Sequence, residues 1–319
     1  MSTVPSRVIR FHEFGEPLDV LVEETIGIPD PSERRVRIRV AAVGLNPADW
    51  ELCRGFMPGT LPRGIGYDTA GTVDAVGSGV EDVAVGDLVV GAADFAGQPS
   101  AGAADVAILD SWTKVPAGVD PVEVAVLPMV VRTAVWTLVG MGVGPDTTLL
   151  VHGAGAMAGY AAVQVALGLG ARVIATAGPT YTPDLEAFGA VVIPYGPGMG
   201  ERVRDIAGGP VDLVLDTAPP QEGVVAVLLG VVGAAQDVVT ISNHDEARGL
   251  GARVNLDIIA AAGDPLADPL PEYVARVAAG SFRLPVARAF PLGAWREAAK
   301  LSLSRAPRGK VVLLPAEDA

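Results

Sequence analysis

The chain has 319 residues, half of them hydrophobic but only 5% aromatic, and a formal net charge of −14. That length exceeds the size at which single cores stop growing, so two domains are expected. The acidity argues against nucleic acid or an anionic membrane surface as a partner and favours a small-molecule ligand.

The opening segment, MSTVPSRVIRFHEFGEP, has no continuous apolar run of the signal-peptide kind. Cys53 is the single cysteine, so no intramolecular disulfide can form, and the thiol is expected as buried filler. Both features predict a cytoplasmic protein. Residues 35–43 (RVRIRVAAV) alternate charge with Val and Ile, the mark of a half-buried strand. Gly71–Val76 and Asp87–Val90 add short β-rich runs between glycine turns. From about Pro121 the texture changes, and strand-sized apolar runs alternate with helix-sized segments. Thr148–His152, Arg172–Ala177 and Val191–Pro194 read as strands, with helical Ala158–Leu169 and Asp184–Phe188 between them. Val211–Asp216, the helical run Gly223–Leu229 and Val238–Ser242 continue the pattern. This alternation predicts a parallel, doubly wound sheet covered on both faces. Thr147–Ala171 carries no Asp, Glu, Lys or Arg, but Gly153, Gly155, Gly159, Gly168 and Gly170 interrupt it. It therefore reads as strand, turn and buried helix rather than as a membrane span. A proline-rich break at Pro265–Pro271 precedes a last mixed segment, and Lys310–Leu314 reads as a closing strand.

The segment TLLVHGAGAMAG (Thr148–Gly159) sets a glycine cluster after an apolar strand and before an Ala/Val-rich helix. Dinucleotide folds need this order: a tight turn, close backbone approach to the pyrophosphate, and a helix N-terminus with free N–H groups. Gly153, Gly155 and Ala158 read as G-x-G-x-x-A; the other reading is a glycine-rich turn in a nucleotide-free α/β protein. The next strand ends in Thr176 and Ala177, with no carboxylate before Asp184. An NAD-preferring fold places an acid there, so its absence favours a 2′-phosphate. No Lys or Arg lies between Ala177 and Ala190, so the positive charge has to come from elsewhere.

GLNPADW (Gly44–Trp50), GYDTAGTVDAVGSGVEDVAVGDLVVG (Gly66–Gly91), LPMVVRTAVWTL (Leu127–Leu138), LLVHGAGAMAG, VDLVLDT (Val211–Thr217) and PRGKVVLL (Pro307–Leu314) follow one another along the chain. Together they resemble the zinc-independent medium-chain dehydrogenase/reductases of the quinone oxidoreductase-like (zeta-crystallin-like) branch. The resemblance implies an α/β architecture in which a Rossmann doubly wound parallel sheet is inserted into a GroES-like β-rich catalytic domain. The implied bounds are 1–120 and 256–319 for the catalytic domain and 121–255 for the NADP-binding one. It also implies NADPH as cofactor, a homodimer, and a quinone or enone/enoyl substrate, with no nucleic acid and no membrane as partner.

Residue by residue, the resemblance assigns Asn46 and Tyr67 as catalytic. The cofactor-binding candidates are Thr133, Gly153, Gly155, Ala156, Met157, Ala158, Gly159, Thr176, Tyr195, Asp216, Ser242, Arg305 and Arg308. Tyr195 falls where relatives place a phosphate-contacting tyrosine, and Arg305 or Arg308 is expected to supply charge. The chain departs from the family where relatives read G-x-x-G-x-x-G: position 156 is Ala, followed by Met157, and a Cβ at 156 is expected to crowd the pyrophosphate. Zinc members resemble the same pattern with Cys in place of Asn46 and His-Glu in place of Tyr67 and Asp68. One cysteine and three scattered histidines (His12, His152, His244) assemble no tetrahedral set, so no metal is expected. His152 is read as structural.

The implied chemistry is hydride transfer from the nicotinamide to the electrophilic carbon of a quinone or enone, which needs a donor at the developing oxyanion. Asn46 and Tyr67 can each donate a hydrogen bond. Alternatively Asn46 caps a turn and Tyr67 is packing. Asp49 is read as the start of a short helix. Thr133 is either near the nicotinamide or a helix-interior hydroxyl. No Tyr-x-x-x-Lys pair and no Ser–His–Asp set is present. Two other functions stay open: a non-redox enzyme (cyclase, isomerase or lyase) on the same scaffold, and a non-catalytic nucleotide-binding protein.

Overall fold

A computed structural model describes residues 3–57, 59–93, 100–261, 267–304 and 308–315. The N-terminal third is strand-built, as its alternation demands. β1 (Thr3–Phe11) pairs antiparallel with β2 (Leu21–Pro29) across the short α1 (Pro17–Val20). β3 (Val36–Gly44) buries Val36, Ile38 and Val40, while Arg37 bonds to Asp74 and Asp30 at 2.8 and 3.1 Å. α2 (Pro47–Cys53), β4 (Arg63–Gly64), β5 (Asp68–Val76), β6 (Leu88–Ala93), β7 (Val106–Lys114) and α3 (Pro121–Val124) follow.

Compact packing divides the chain between Met129 and Val130, within α4 (Pro128–Met141), and again between Pro269 and Leu270. These divisions fall later than the expected 120/121 and 255/256. The second unit, Val130–Pro269, then runs β8 (Thr148–His152), α5 (Met157–Gly168), β9 (Arg172–Thr176), α6 (Thr182–Phe188) and β10 (Val191–Ile193). It continues through α7 (Met199–Ala207), β11 (Leu213–Asp216), α8 (Val224–Leu229), β12 (Val238–Thr240), α9 (His244–Gly249), β13 (Arg253–Val254) and α10 (Asn255–Ala261). All six strands are parallel, in the order β10-β9-β8-β11-β12-β13. Numbered from β8, this is the 3-2-1-4-5-6 order of dinucleotide-binding sheets, with the switch point between β8 and β11. The charge-free stretch from Thr147 is β8, a turn and α5, as expected. The run Pro121–Met141 is long and apolar enough to cross a membrane by composition, yet two thirds of it is buried in the protein. It also carries Arg132, held by Asp268 at 2.6 Å.

The chain then returns to the first unit through α11 (Leu270–Ala278), β14 (Val286–Pro291), α12 (Trp295–Leu303) and β15 (Lys310–Leu314). β15 lies between β14 and β3 in the order β14-β15-β3-β5-β6-β7, and β3 also pairs with β7. Residues from both chain segments therefore share one core, with Ile9, Phe11, Ile38 and Val43 packed in the same cluster as Phe290, Val311 and Leu313.

Candidate functional site

Strand register in the first unit brings three polar side chains together inside the sheet. Gly44 lies opposite both Asp68 on β5 and Val312 on β15. Asn46, two residues beyond Gly44, and Lys310, two before Val312, thus converge on Asp68. The Lys310 ammonium donates to Asn46 Oδ1 at 2.5 Å and to Asp68 Oδ2 at 3.2 Å. Asn46 Nδ2 donates to Asp68 Oδ2 at 2.9 Å and to Gly44 O at 3.2 Å. Asp68 Oδ1 accepts from Met129 N–H at 2.7 Å. Asp49 extends the cluster: as the third residue of α2 it reaches back to Asn46 N–H and across to Gly66 N–H, each at 2.7 Å. Burial outweighs these two donors and pushes its carboxyl up to about 6. Both amide hydrogens of Asn46 are thus committed within the cluster, which leaves it none for a substrate oxygen. It also stands as N-cap of α2, the alternative read from the sequence. Tyr67, next to Asp68, is half-exposed. Cys53 is buried, and burial pushes its thiol up to about 12.

In the second unit the glycine turn sits at the carboxyl end of β8, at the switch point. Gly153 has φ +79°, and a Cβ there would lie 2.5 Å from Ala218 N. A Cβ at Gly159 would collide with Thr217 Oγ1. Gly155 is different: the nearest atom to its Cβ position is 3.9 Å away, so it leaves open space. Hydroxyls and a carboxylate brace the turn from below. Thr217 Oγ1 donates to His152 O at 2.8 Å, and Ser242 Oγ donates to Ala218 O at 2.6 Å. Asp216 is fully buried and accepts from Thr240 Oγ1, Asn243 Nδ2 and Ala218 N–H. Asp216 and Ser242 therefore hold the turn's neighbour, Ala218. Thr176 is likewise fully buried: its hydroxyl accepts from Gly153 N–H at 3.0 Å and bonds His152 Nδ1 at 2.8 Å. That places it behind the loop, where it fixes Gly153, rather than facing a ribose. Burial holds the His152 imidazole below its usual range, in keeping with a structural role.

α5 begins with Ala156 as N-cap, and no side chain caps it. The first-turn N–H groups of Met157 and Ala158 have no carbonyl one turn earlier, and both residues are partly exposed. An open glycine, uncapped N–H donors and the positive end of a helix suit a dinucleotide pyrophosphate. At the end of β9, the exposed Tyr195 approaches Gly178, its hydroxyl 3.8 Å from the Cβ position there. Thr133 is half-exposed on α4, and Arg308 is exposed in the first unit. Arg305 lies outside the described residues. The sequence reading missed Lys310, Asp68 as a hydrogen-bonding centre, Thr217 and Asn243. A lone lysine opening the apolar run Lys310–Leu314 was the available signal for the first.

A GroES-like sheet unit interrupted by a six-stranded parallel nucleotide-type sheet defines the class. Residues 32–116 match the family described as "Alcohol dehydrogenase GroES-like domain", and residues 190–313 the one described as "Zinc-binding dehydrogenase". The chloroplast envelope quinone oxidoreductase homolog of Arabidopsis thaliana is 29% identical over 221 residues, 66% of this chain and 67% of that protein. Quinone oxidoreductase 1 of Escherichia coli K12 is 33% identical over 207 residues, 63% of this chain and 62% of that protein. The matches thus span about two thirds of the length of these relatives. The structure of an alcohol dehydrogenase superfamily protein from Novosphingobium aromaticivorans is 26% identical, with a TM-score of 0.81 over 97% of this chain and 99% of that one. The chain belongs to the medium-chain dehydrogenase/reductase family.

The second family's description raises zinc, and the donors here do not fit it. Asn46 and Asp68 already share an ammonium, and a divalent cation beside Lys310 would be repelled. Among the described residues no three His, Cys, Asp or Glu side chains are grouped to hold a metal.

Proposed function

We propose that the chain is an oxidoreductase that uses NADPH, without zinc, to reduce a quinone or an α,β-unsaturated carbonyl compound, enoyl thioesters included. The observation that carries this reading is the uncapped start of α5 behind the Gly153 turn, at the switch point of the sheet. Relatives named quinone oxidoreductases support the acceptor class. The Lys310 ammonium beside Asn46 and Asp68 supports zinc-independence. The missing carboxylate at the end of β9 supports NADPH over NADH. The reading extends to a cytoplasmic homodimer.

Bound NADPH supplies the hydride. The N–H groups of Met157 and Ala158 hold its pyrophosphate, and Gly155 leaves room for it. Tyr67 donates a hydrogen bond to the acceptor's oxygen as negative charge grows there, the task Asn46 is not free to perform. Titration with NADPH and NADH, followed by fluorescence, tests the cofactor. Tighter binding of NADPH is expected; tighter NADH, or neither bound, overturns the reading. A panel of quinones, enones and enoyl thioesters with deuterated NADPH tests the reaction, with deuterium expected at the reduced carbon. Tyr67→Phe should lower turnover by about two to three orders of magnitude while leaving NADPH affinity nearly unchanged. Normal turnover in that variant removes Tyr67 from the site.

A further inference from the structure

The second unit contains no lysine and six arginines, Arg132, Arg172, Arg202, Arg204, Arg248 and Arg253. Arg132 and Arg248 bond to Asp268 and Asp257. Arg172, Arg204 and Arg253 donate to the carbonyls of Ile206, Gly230 and Gln236. Arg202 is placed differently. From the second turn of α7 its Nη1 donates to Pro197 O and its Nη2 to Pro194 O, both at 2.9 Å. These carbonyls flank Tyr195 in a turn that Gly196 and Gly198 carry through positive φ. The guanidinium therefore clasps the turn at both ends. Its Nε is shielded from solvent and has no hydrogen-bond partner. Each Nη keeps a second N–H beyond the one the carbonyl takes.

The clasped turn holds the 63%-exposed Tyr195 against Gly178, at the carboxyl end of β9. In a sheet of this strand order, the residue at that end meets the adenosine ribose, and a nearby arginine accommodates a 2′-phosphate. Here β9 ends in a buried threonine, followed by Ala177 and Gly178, so it offers neither an acid nor a base. Resting on the NADPH reading above, we propose that Arg202 is the specificity-determining positioning residue for a 2′-phosphorylated dinucleotide. It fixes Tyr195 over Gly178 and brings to that end of the sheet the positive charge that β9 lacks.

The experiment uses the intact chain and two fragments that need no nicotinamide, 2′,5′-ADP and 5′-AMP, with affinities measured by calorimetry. Arg202→Gln should weaken 2′,5′-ADP about tenfold or more, the worth of one charge-assisted hydrogen bond, and leave 5′-AMP within about twofold. Arg202→Lys, which restores charge but cannot bridge two carbonyls in a fixed fork, should fall between wild type and Arg202→Gln. Because both ligands are read on the same sample, loss of folded protein lowers both and leaves their ratio intact. An unchanged ratio in Arg202→Gln overturns the proposal, whether both affinities fall together or neither does. Failure of the parent reading shows separately, in the wild type. If unmodified protein binds 2′,5′-ADP no tighter than 5′-AMP, the NADPH assignment falls, and this proposal with it.

Discussion

Replacing Lys310 by Met removes the cation from a buried cluster. The Lys310 side chain is 4% exposed and that of Asp68 is 0%. Methionine keeps most of the stem's volume, so the perturbation is chiefly loss of charge and of two hydrogen bonds. Asp68 is left as a buried carboxylate facing only neutral donors, Met129 N–H and Asn46 Nδ2. Breaking a buried pair from one side costs about 3–5 kcal/mol, or roughly two to three and a half orders of magnitude in the folding equilibrium. Urea unfolding followed by tryptophan fluorescence is suited to this, because Trp50, Trp112 and Trp295 lie in the first unit and Trp136 in the second. The variant should shift the first unit's midpoint with little change in slope. Adding Asp68→Asn should recover part of the loss, since the isolated charge is then gone. A loss below about 1 kcal/mol for Lys310→Met, or simple addition of the two single losses in the double variant, refutes the reasoning.

Two further predictions concern the turn and the buried carboxyl. Gly153→Val puts a β-branched residue at φ +79° with its Cβ 2.5 Å from Ala218 N, so NADPH binding should be abolished and stability should fall by about 2–4 kcal/mol. Gly155→Ala, with its nearest neighbour 3.9 Å away, should cost under about 1 kcal/mol; equal effects of the two substitutions in thermal unfolding would contradict the geometry. Asp49 has its folded pKa raised from 3.8 to about 6 by burial, so the folded state holds its proton more tightly than the unfolded chain. Its contribution to stability should therefore fall as pH rises from about 4 to about 6 and level off above, with a slope of at most about 1.4 kcal/mol per pH unit. Subtracting the stability–pH curve of Asp49→Asn from that of the wild type isolates the effect, and a flat difference curve argues against it.

Much of the fold was legible because its signals are local. Thr148–His152 and Lys310–Leu314 have the bounds their apolar runs predict, and α5 starts one residue before the expected Ala158. The glycine turn was legible for the same reason, since strand, turn and helix are contiguous. What its glycines are for was not. Gly159 is required by Thr217 and Gly153 by Ala218, residues that reach the turn only through the pairing of β8 with β11. Asn46 was read as a donor to substrate because its partners, Asp68 and Lys310, are set by the register of β3 with β5 and β15. Thr176 stands among the cofactor-binding candidates because a strand's end does not reveal which side its hydroxyl takes. Arg202 is eight residues past the nearest expected strand, Val191–Pro194, yet acts on a turn before its own helix, a reach that only its side-chain geometry shows.

The place of β15 between β14 and β3 has a consequence for synthesis on the ribosome. Residues 130–269 emerge as one uninterrupted segment and contain every strand of their own sheet. The first unit has no such independence. When its N-terminal strands are already outside the exit tunnel, the end of β3 at Val43–Gly44 still lacks its neighbour, and Asn46 and Asp68 still lack their ammonium. Both wait until the intervening unit has been made in full. The nascent chain therefore carries an open strand edge beside a cluster missing its cation for the time needed to translate about 180 codons, some 10–40 s at ordinary elongation rates. An unpaired edge of that kind is a template for wrong pairing, so the N-terminal strands are the part of this chain that most needs shielding while it is being made.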